Sequence, residues 1–379
     1  MSRPAFLELL DAEAVFRRAD VYQLAYDEDR AAKASVRLAI IGAGGVAQAK
    51  YLPAIGRLRS RWEPVELVGL VTADAQQADR LRRGWSVPVF ADARRMLDEA
   101  RPDAVIVSTP DGLHAEHVIA SLEAGAHVLV EKPIARRLTD ARRMLDAAHA
   151  AQRLCITVCN KRYSPPYAQA RWLVDQGRIG RPALLSGKFT LSYDYVDLLE
   201  VGTVHLFDLV RYLAGDVAAV AAVAAPSRRN DRYRFENVAL TLTFGSGAVG
   251  SLVTSSTATS FHPWERMELF GEGAWLAVDD QRAVTLYPGD DAPAERWEQV
   301  VPHTLLSAEE WGGFVGLLED FLDAVRGQEL RRTRPDDGYR AYELVVATQL
   351  SALRAAAVDL PLDAAAADAE LRDRTERKA

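Results

Sequence analysis

The chain has 379 residues, with 46 Lys and Arg against 53 Asp and Glu for a formal charge of −7. Hydrophobic types at 49% and charged types at 26% exclude a disordered chain. The acidic balance argues against nucleic acid as a partner, and no apolar run reaches the roughly 18–20 residues that span a bilayer, so no membrane partner is expected.

Residues 1–35 read as a helical arm, with Phe6, Leu9 and Leu10 repeating at helical spacing. Charge is mixed into their apolar positions, so no signal-peptide core is expected. From Val36 the pattern changes. VRLAIIGAGG is an apolar strand running into glycines, and further strands are expected at about 65–72, 103–109, 127–131 and 154–159. Amphipathic helices separate them. Val- and Ile-rich strands alternating with helices indicate a doubly wound parallel sheet over residues 36–159.

After that point the alternation stops. A helix at 164–177 leads into two-faced strands with Gly-Ser and Gly-Glu-Gly turns, which read as an antiparallel sheet. Helices at about 309–326 and 336–357 complete a second α/β domain over 160–358. The Ala-rich, charged stretch 359–379 reads as a frayed helix or tail. Cys155 and Cys159 lie four apart on one expected strand, too far for an unstrained bridge, and read as reduced core thiols. No Cys/His set of metal-ligand spacing accompanies them, so neither a metal nor an oxidising compartment is expected, and the cytoplasm is the default.

Gly42-Ala43-Gly44-Gly45-Val46-Ala47 follows a strand and opens a helix. Gly42 permits the tight turn, Gly44 lets the backbone approach a pyrophosphate, and Ala47 lets helix and strand pack closely. The helix start adds amides for phosphate, which makes Gly42, Gly44, Gly45 and Val46 candidate dinucleotide contacts. The second strand ends Val71-Thr72-Ala73, where NAD sites usually carry an acid; the first acid is Asp74. A carboxylate repels a 2′-phosphate, so Thr72 and Ala73 lean the cofactor slightly to NADP over NAD. An inward-turned Asp74 reverses that preference. Ser108, Thr109, Pro110 and His114 stand at the carboxyl end of a parallel strand, the ligand edge of such sheets. Glu131-Lys132-Pro133 ends the next strand. A lysine there either bonds a reacting hydroxyl or is an ordinary surface lysine.

Taken together, GAGGVA, STPDGLHAEH, EKP, NKRY (160–163), GRIGRP (177–182) and VHLFDLVRYLAG (204–215), in this order, resemble the glucose–fructose oxidoreductase/inositol dehydrogenase/MocA family over roughly residues 36–355. The resemblance implies an N-terminal Rossmann domain and a C-terminal α/β domain on an open, largely antiparallel sheet. It implies NAD(P)-dependent oxidation or reduction of one carbinol or carbonyl of a sugar, cyclitol or amino-sugar-like polyol. Lys132 would touch the reacting oxygen. His205 would be the general acid/base, with Asp208 one helical turn on. Glu131, Asn160 and Arg162 would border the cofactor. Lys161 and Arg162 either hold substrate or bridge the domains. Trp264, beside His262, either stacks on a sugar or packs in the core.

One departure stands out. Many members carry an acid four residues before this histidine, where this chain has Val201. Tyr193, Asp194, Tyr195, Asp197 and Glu200 are the candidates for the missing group, with Tyr193 and Tyr195 expected at the substrate. Two other functions stay open: redox-neutral cleavage of a glycoside with bound NAD, and non-catalytic sensing of a sugar or nucleotide. An apolar open sheet face would make a subunit interface, so a homo-dimer or tetramer is expected.

Overall fold

The structure, a computed structural model, describes residues 33–191, 197–225, 235–257, 263–289, 292–298 and 312–376. The expected N-terminal arm lies almost wholly outside these residues.

Six strands form the first sheet: β1 (Val36–Ile41), β2 (Val65–Val71), β3 (Val89–Phe90), β4 (Ala104–Val107), β5 (His127–Val130) and β6 (Cys155–Thr157). Their order is β3-β2-β1-β4-β5-β6, and every pair is parallel. Side chains alternate across it, as the pleat requires. Leu38, Ile40, Ile106 and Leu129 pack into one buried layer, and Ala39, Ile41, Val105, Val107 and Val128 into the other. Burial on both faces explains why these strands read as continuous apolar runs. Strand order reverses between β1 and β4, so a crevice opens there at the carboxyl ends. The two-residue β3 was not expected from sequence, being too short to carry a period.

The second sheet has nine strands: β7 (Leu184–Thr190), β8 (Val217–Ala225), β9 (Asn237–Phe244), β10 (Val249–Ser255), β11 (Glu265–Phe270), β12 (Trp275–Asp279), β13 (Ala283–Tyr287), β14 (Glu295–Glu298) and β15 (Val358–Asp359). All pairs are antiparallel except β7 with β10. Leu240, Leu242 and Leu252 point to the covered face, with Phe207, Val210, Val345 and Leu350 of the helices Val204–Ala214 and Asp337–Arg354 in the same core. Leu184, Val223, Val249 and Val253 are exposed.

Three features depart from the linear expectation. The helix Phe314–Val325 packs on the first sheet, with Val315, Leu318 and Phe321 in one cluster with Leu38, Ile40 and Ile55. The helix Asp337–Arg354 contacts both sheets. The stretch after residue 359 is not frayed: Ala364–Glu376 is a helix, and Asp368 caps the helix Leu138–Ala151 by accepting from Leu138 N (3.0 Å) and Thr139 N (2.9 Å). Cys155 and Cys159 are buried free thiols.

Candidate active site

The glycine loop is built by close approach of backbones. Gly42 has φ 92°, and a Cβ there would lie 2.6 Å from the Ser108 backbone, so no side chain fits. Gly44 and Gly45 differ: an added Cβ meets nothing within 4 Å. Both face open space where the chain turns into the Ala47–Tyr51 π turn and the helix Leu52–Ser60. The adjoining cavity, about 430 Å³, is lined by Gly44, Thr72, Asp74, Ser108, Thr109 and Pro110, among others. Val46 is exposed and Ala73 also lines the cavity.

At the end of β2, the Thr72 hydroxyl donates to Gln77 Oε1 (2.5 Å), and Asp74 Oδ1 accepts from Gln77 N (3.0 Å). Asp74 therefore caps the helix Ala75–Gly84 while still facing the cavity. Among the described residues, the buried polar atoms without a partner include Thr109 Oγ1 beyond β4, Thr157 Oγ1 at the end of β6 and Asn160 Oδ1 just past it. Buried polar atoms are normally bonded. Thr109 and Asn160, with the open space over Gly44 and Gly45, fit a dinucleotide lying along the strand ends.

The remaining edge residues brace the loops. Glu131 accepts from the Tyr51 hydroxyl (2.6 Å) and from Lys132 N (3.0 Å), tying the β5 loop to the first helix. The buried His114 ring lies 2.9 Å from the Thr109 carbonyl and 3.0 Å from that of Pro133. It is committed to main chain, which departs from the direct cofactor contact expected of it.

Lys132 reaches out of the first sheet. Its Nζ donates to the main-chain oxygen of Val201 at 3.0 Å. Burial pulls its pKa below the ordinary lysine value, with Glu131 opposing. His205 stands in the first turn of the helix Val204–Ala214. Burial, then the charges of Lys132 and Lys161, hold its pKa well below the usual histidine range. Both side chains are deeply surrounded yet keep an open edge. The amine thus reaches the turn that leads into the His205 helix, and its charge acts on the imidazole.

Lys161 and Arg162 are placed differently. Lys161 pairs with Glu265, which also accepts from the Tyr167 hydroxyl (2.7 Å), and its Nζ lies 4.7 Å from the Phe189 ring centroid and 4.9 Å from that of Trp264. Trp264 packs edge-on against Phe189, as a wall of this cage. Arg162 is spent on a buried network: Asp208 at 2.6 Å, Asp337 at 2.6 Å and the Arg332 carbonyl at 2.8 Å. Neither Arg162 nor Asp208 is presented to the cleft, contrary to the expected cofactor and substrate contacts. Arg162 takes the other role, as a bridge between elements.

Tyr193, Asp194 and Tyr195 lie outside the described residues, as does His262. The other candidates for the missing acid turn elsewhere. Asp197 Oδ1 accepts from Leu199 N (2.9 Å) and Glu200 N (3.3 Å), and burial, then Glu200, pushes its pKa up to about 7. Glu200 accepts from Gln349 Nε2 (3.0 Å). Among the described residues, no carboxylate forms an ion pair with Lys132 Nζ. The Val201 carbonyl stands there, and a main-chain oxygen leaves no sign in a sequence. Among the same residues, no group of three or more His, Cys, Asp or Glu is placed to hold a metal ion.

A parallel nucleotide-type sheet joined to an open sheet, with a lysine of the first reaching the turn before a helix of the second, defines a two-domain dinucleotide-binding class. Comparison with known proteins says which. The family model described as "Oxidoreductase family, NAD-binding Rossmann fold" matches residues 36–158, and the "GFO/IDH/MocA C-terminal domain" matches 167–277. The two matches cover more than half of the chain, and it belongs to the GFO/IDH/MocA oxidoreductase family. It is 30% identical to inositol 2-dehydrogenase 3 of Saccharopolyspora erythraea, over 52% of this chain and 60% of that one. It is 27% identical to myo-inositol 2-dehydrogenase of Thermotoga maritima, over 53% of this chain and 64% of that one. The match therefore spans less than two thirds of either relative. A solved levoglucosan dehydrogenase, in complex with NADH and levoglucosan, shares the fold with a TM-score of 0.76 at 23% identity, over 87% of this chain and 100% of that one.

Proposed function

We propose that the chain is an NAD-dependent dehydrogenase acting on one carbinol of a sugar, cyclitol or related polyol. The observation that carries this reading is Lys132, just beyond β5, reaching the turn that leads into His205, on the same sheet edge as the glycine-loop cavity and the unpartnered Thr109 and Asn160 atoms. The relatives named for inositol and levoglucosan supply the substrate class.

The amides from Gly44 to Val46 would hold the pyrophosphate, and Thr109 and Asn160 the polar groups farther along the strand ends. Asp74 faces the cavity, and its carboxylate disfavours a 2′-phosphate, which reverses the lean to NADP drawn from Thr72. When bound, the nicotinamide supplies the two-electron acceptor for the carbinol hydrogen. The chain itself handles the proton. His205, held neutral, takes it from the hydroxyl, while Lys132 donates a hydrogen bond to the same oxygen as its carbonyl forms.

Purified protein offered myo-inositol, levoglucosan and a set of aldoses with NAD or NADP tests this. Growth of reduced-nicotinamide absorbance, at least about tenfold better with NAD, is the expected result. Sugar release without absorbance change would mean redox-neutral cleavage. Tight nucleotide binding with neither would mean a sensor. The exposed Leu184, Val223, Val249 and Val253 on the second sheet support a homo-oligomer, dimer or tetramer, which a monomer by light scattering would contradict. Two buried free thiols accord with a cytoplasmic location.

A further inference from the structure

Leu198–Thr203 is a π turn, a widened helical turn of a kind that recurs at functional sites. It is pinned from several sides. Asp197 caps its first amides. The Thr203 and Thr254 hydroxyls lie 2.6 Å apart. At Gly202, a Cβ would lie 2.7 Å from Leu198 Cδ1 and 2.9 Å from Phe189 Cε1, so the turn is pressed onto β7. Glu200 Oε1 accepts from Gln349 Nε2 at 3.0 Å, which fastens the turn to the helix Asp337–Arg354. Between Glu200 and Gly202, both fixed, the Val201 carbonyl meets Lys132 Nζ at 3.0 Å.

Glu200 is half-buried, and a carboxylate partly withdrawn from water is unfavourable unless it is bonded. An apolar side chain at position 200 would pack the turn without that cost. What the Glu200–Gln349 bond adds is a fixed orientation of the next peptide. We propose that Glu200, clamped by Gln349, is a positioning residue for Lys132: it sets the Val201 carbonyl, which anchors the ammonium in place of a side-chain carboxylate. A carbonyl fixes the amine without compensating its charge. Lys132 is thereby held in place with its charge left for the reacting oxygen, to which it donates. The inference rests on the proposed dehydrogenase reading for its effect on turnover, and not for the geometry.

Lysine reactivity reads the anchor without turnover. Brief reductive methylation of the full chain with formaldehyde and a borohydride, followed by peptide mass spectrometry, compares Lys132 with Lys50 and Lys188. Glu200→Ala and Gln349→Leu should each raise Lys132 modification roughly threefold or more, the scale of one lost hydrogen bond, with the two reference lysines unchanged. Glu200→Gln keeps an acceptor for Gln349 and should restore the parent rate. If the dehydrogenase reading also holds, Glu200→Ala lowers kcat and leaves the KM for nucleotide unchanged. Unchanged Lys132 labelling in folded variants overturns the proposal. So does an equal rise at Lys50 and Lys188, which marks general loosening. Failure of both truncations to fold also counts against it, since a positioning role leaves the fold standing. A parent protein that oxidises no polyol removes the proposed function and leaves the labelling result in force.

Discussion

Lys132 Nζ donates to the Val201 main-chain oxygen at 3.0 Å, four residues ahead of His205. One partner follows a strand of the parallel sheet and the other lies in the π turn ahead of the helix that covers the open sheet. A single hydrogen bond thus joins the halves at the point where chemistry is proposed. It also explains how a chain with valine at the acid position still holds its lysine.

Lys132→Met tests that amine directly. Methionine keeps much of the apolar stem and removes the ammonium, so packing around it changes little. Turnover of whichever polyol is accepted should fall roughly 10²–10⁴-fold, the usual scale for a lost acid/base group. Nucleotide affinity, followed by tryptophan fluorescence, should stay within about threefold, because the glycine loop is untouched. The unfolding midpoint should hold or rise, since a buried ammonium is itself unfavourable. Full activity in this variant would remove Lys132 from the reaction.

His205 sets the pH dependence. Burial, then Lys132 and Lys161, keep its folded pKa well below the ordinary value. The imidazole is neutral at pH 7 and ready to accept a proton. Oxidation measured as kcat/KM should therefore stay level from about pH 8 to 6.5, with its acid limb below the unperturbed histidine value. Stability follows the same sign. A base with a depressed pKa favours folding above its unfolded value of about 6.5 and loses that contribution as pH falls toward the folded value. His205→Asn should flatten the drop in thermal midpoint between pH 7 and 5. An acid limb above 6.5 in the parent would contradict the placement of the two lysines.

Much of this arrangement was legible in residue order, and the reasons are local. Apolar strands between amphipathic helices carry their own period, and a glycine loop between strand and helix carries its own geometry, so the first sheet and its ligand edge could be read directly. Lys132 and His205 were singled out by their motifs. Arg162 was not. The same side chain serves a substrate or a buried ion pair, and only the fold brings Asp208 and Asp337 against it. The return of Phe314–Val325 to the first sheet and the capping of Leu138 by Asp368 depend on contacts far apart in the chain. Lys132's anchor is a peptide oxygen, which every residue possesses.

Arg162→Met separates structure from binding at one of those positions. Removing the guanidinium takes from buried Asp208 its ion-pair partner and leaves buried Asp337 with Arg211 alone, at 2.9 Å. Breaking one side of a buried ion network typically costs about 3–5 kcal/mol. Denaturant unfolding should show a loss on that scale, while nucleotide affinity of the folded protein stays near the parent value. A selective loss of nucleotide binding with stability intact would return Arg162 to the cofactor site.

The glycine loop allows a matched pair of substitutions with opposite readouts. Gly42 has φ 92°, and an added Cβ would stand 2.6 Å from the backbone carbon, oxygen and nitrogen at Ser108–Thr109. Main chain cannot swing aside as a side chain can. Gly42→Ala should lower the unfolding midpoint whether or not nucleotide is present, and weaken binding only as a consequence. Gly44 has no protein atom within 4 Å of the added carbon. Gly44→Ala should leave the apo stability equal or raise it by about 0.4–1 kcal/mol, because alanine has less freedom to lose on folding. The new methyl nevertheless fills the space through which a pyrophosphate must approach, so NAD affinity by calorimetry should fall at least about tenfold. The contrast decides what the space above Gly44 is for. If Gly44→Ala binds NAD like the parent, the dinucleotide does not lie over this loop, and the cleft has some other occupant.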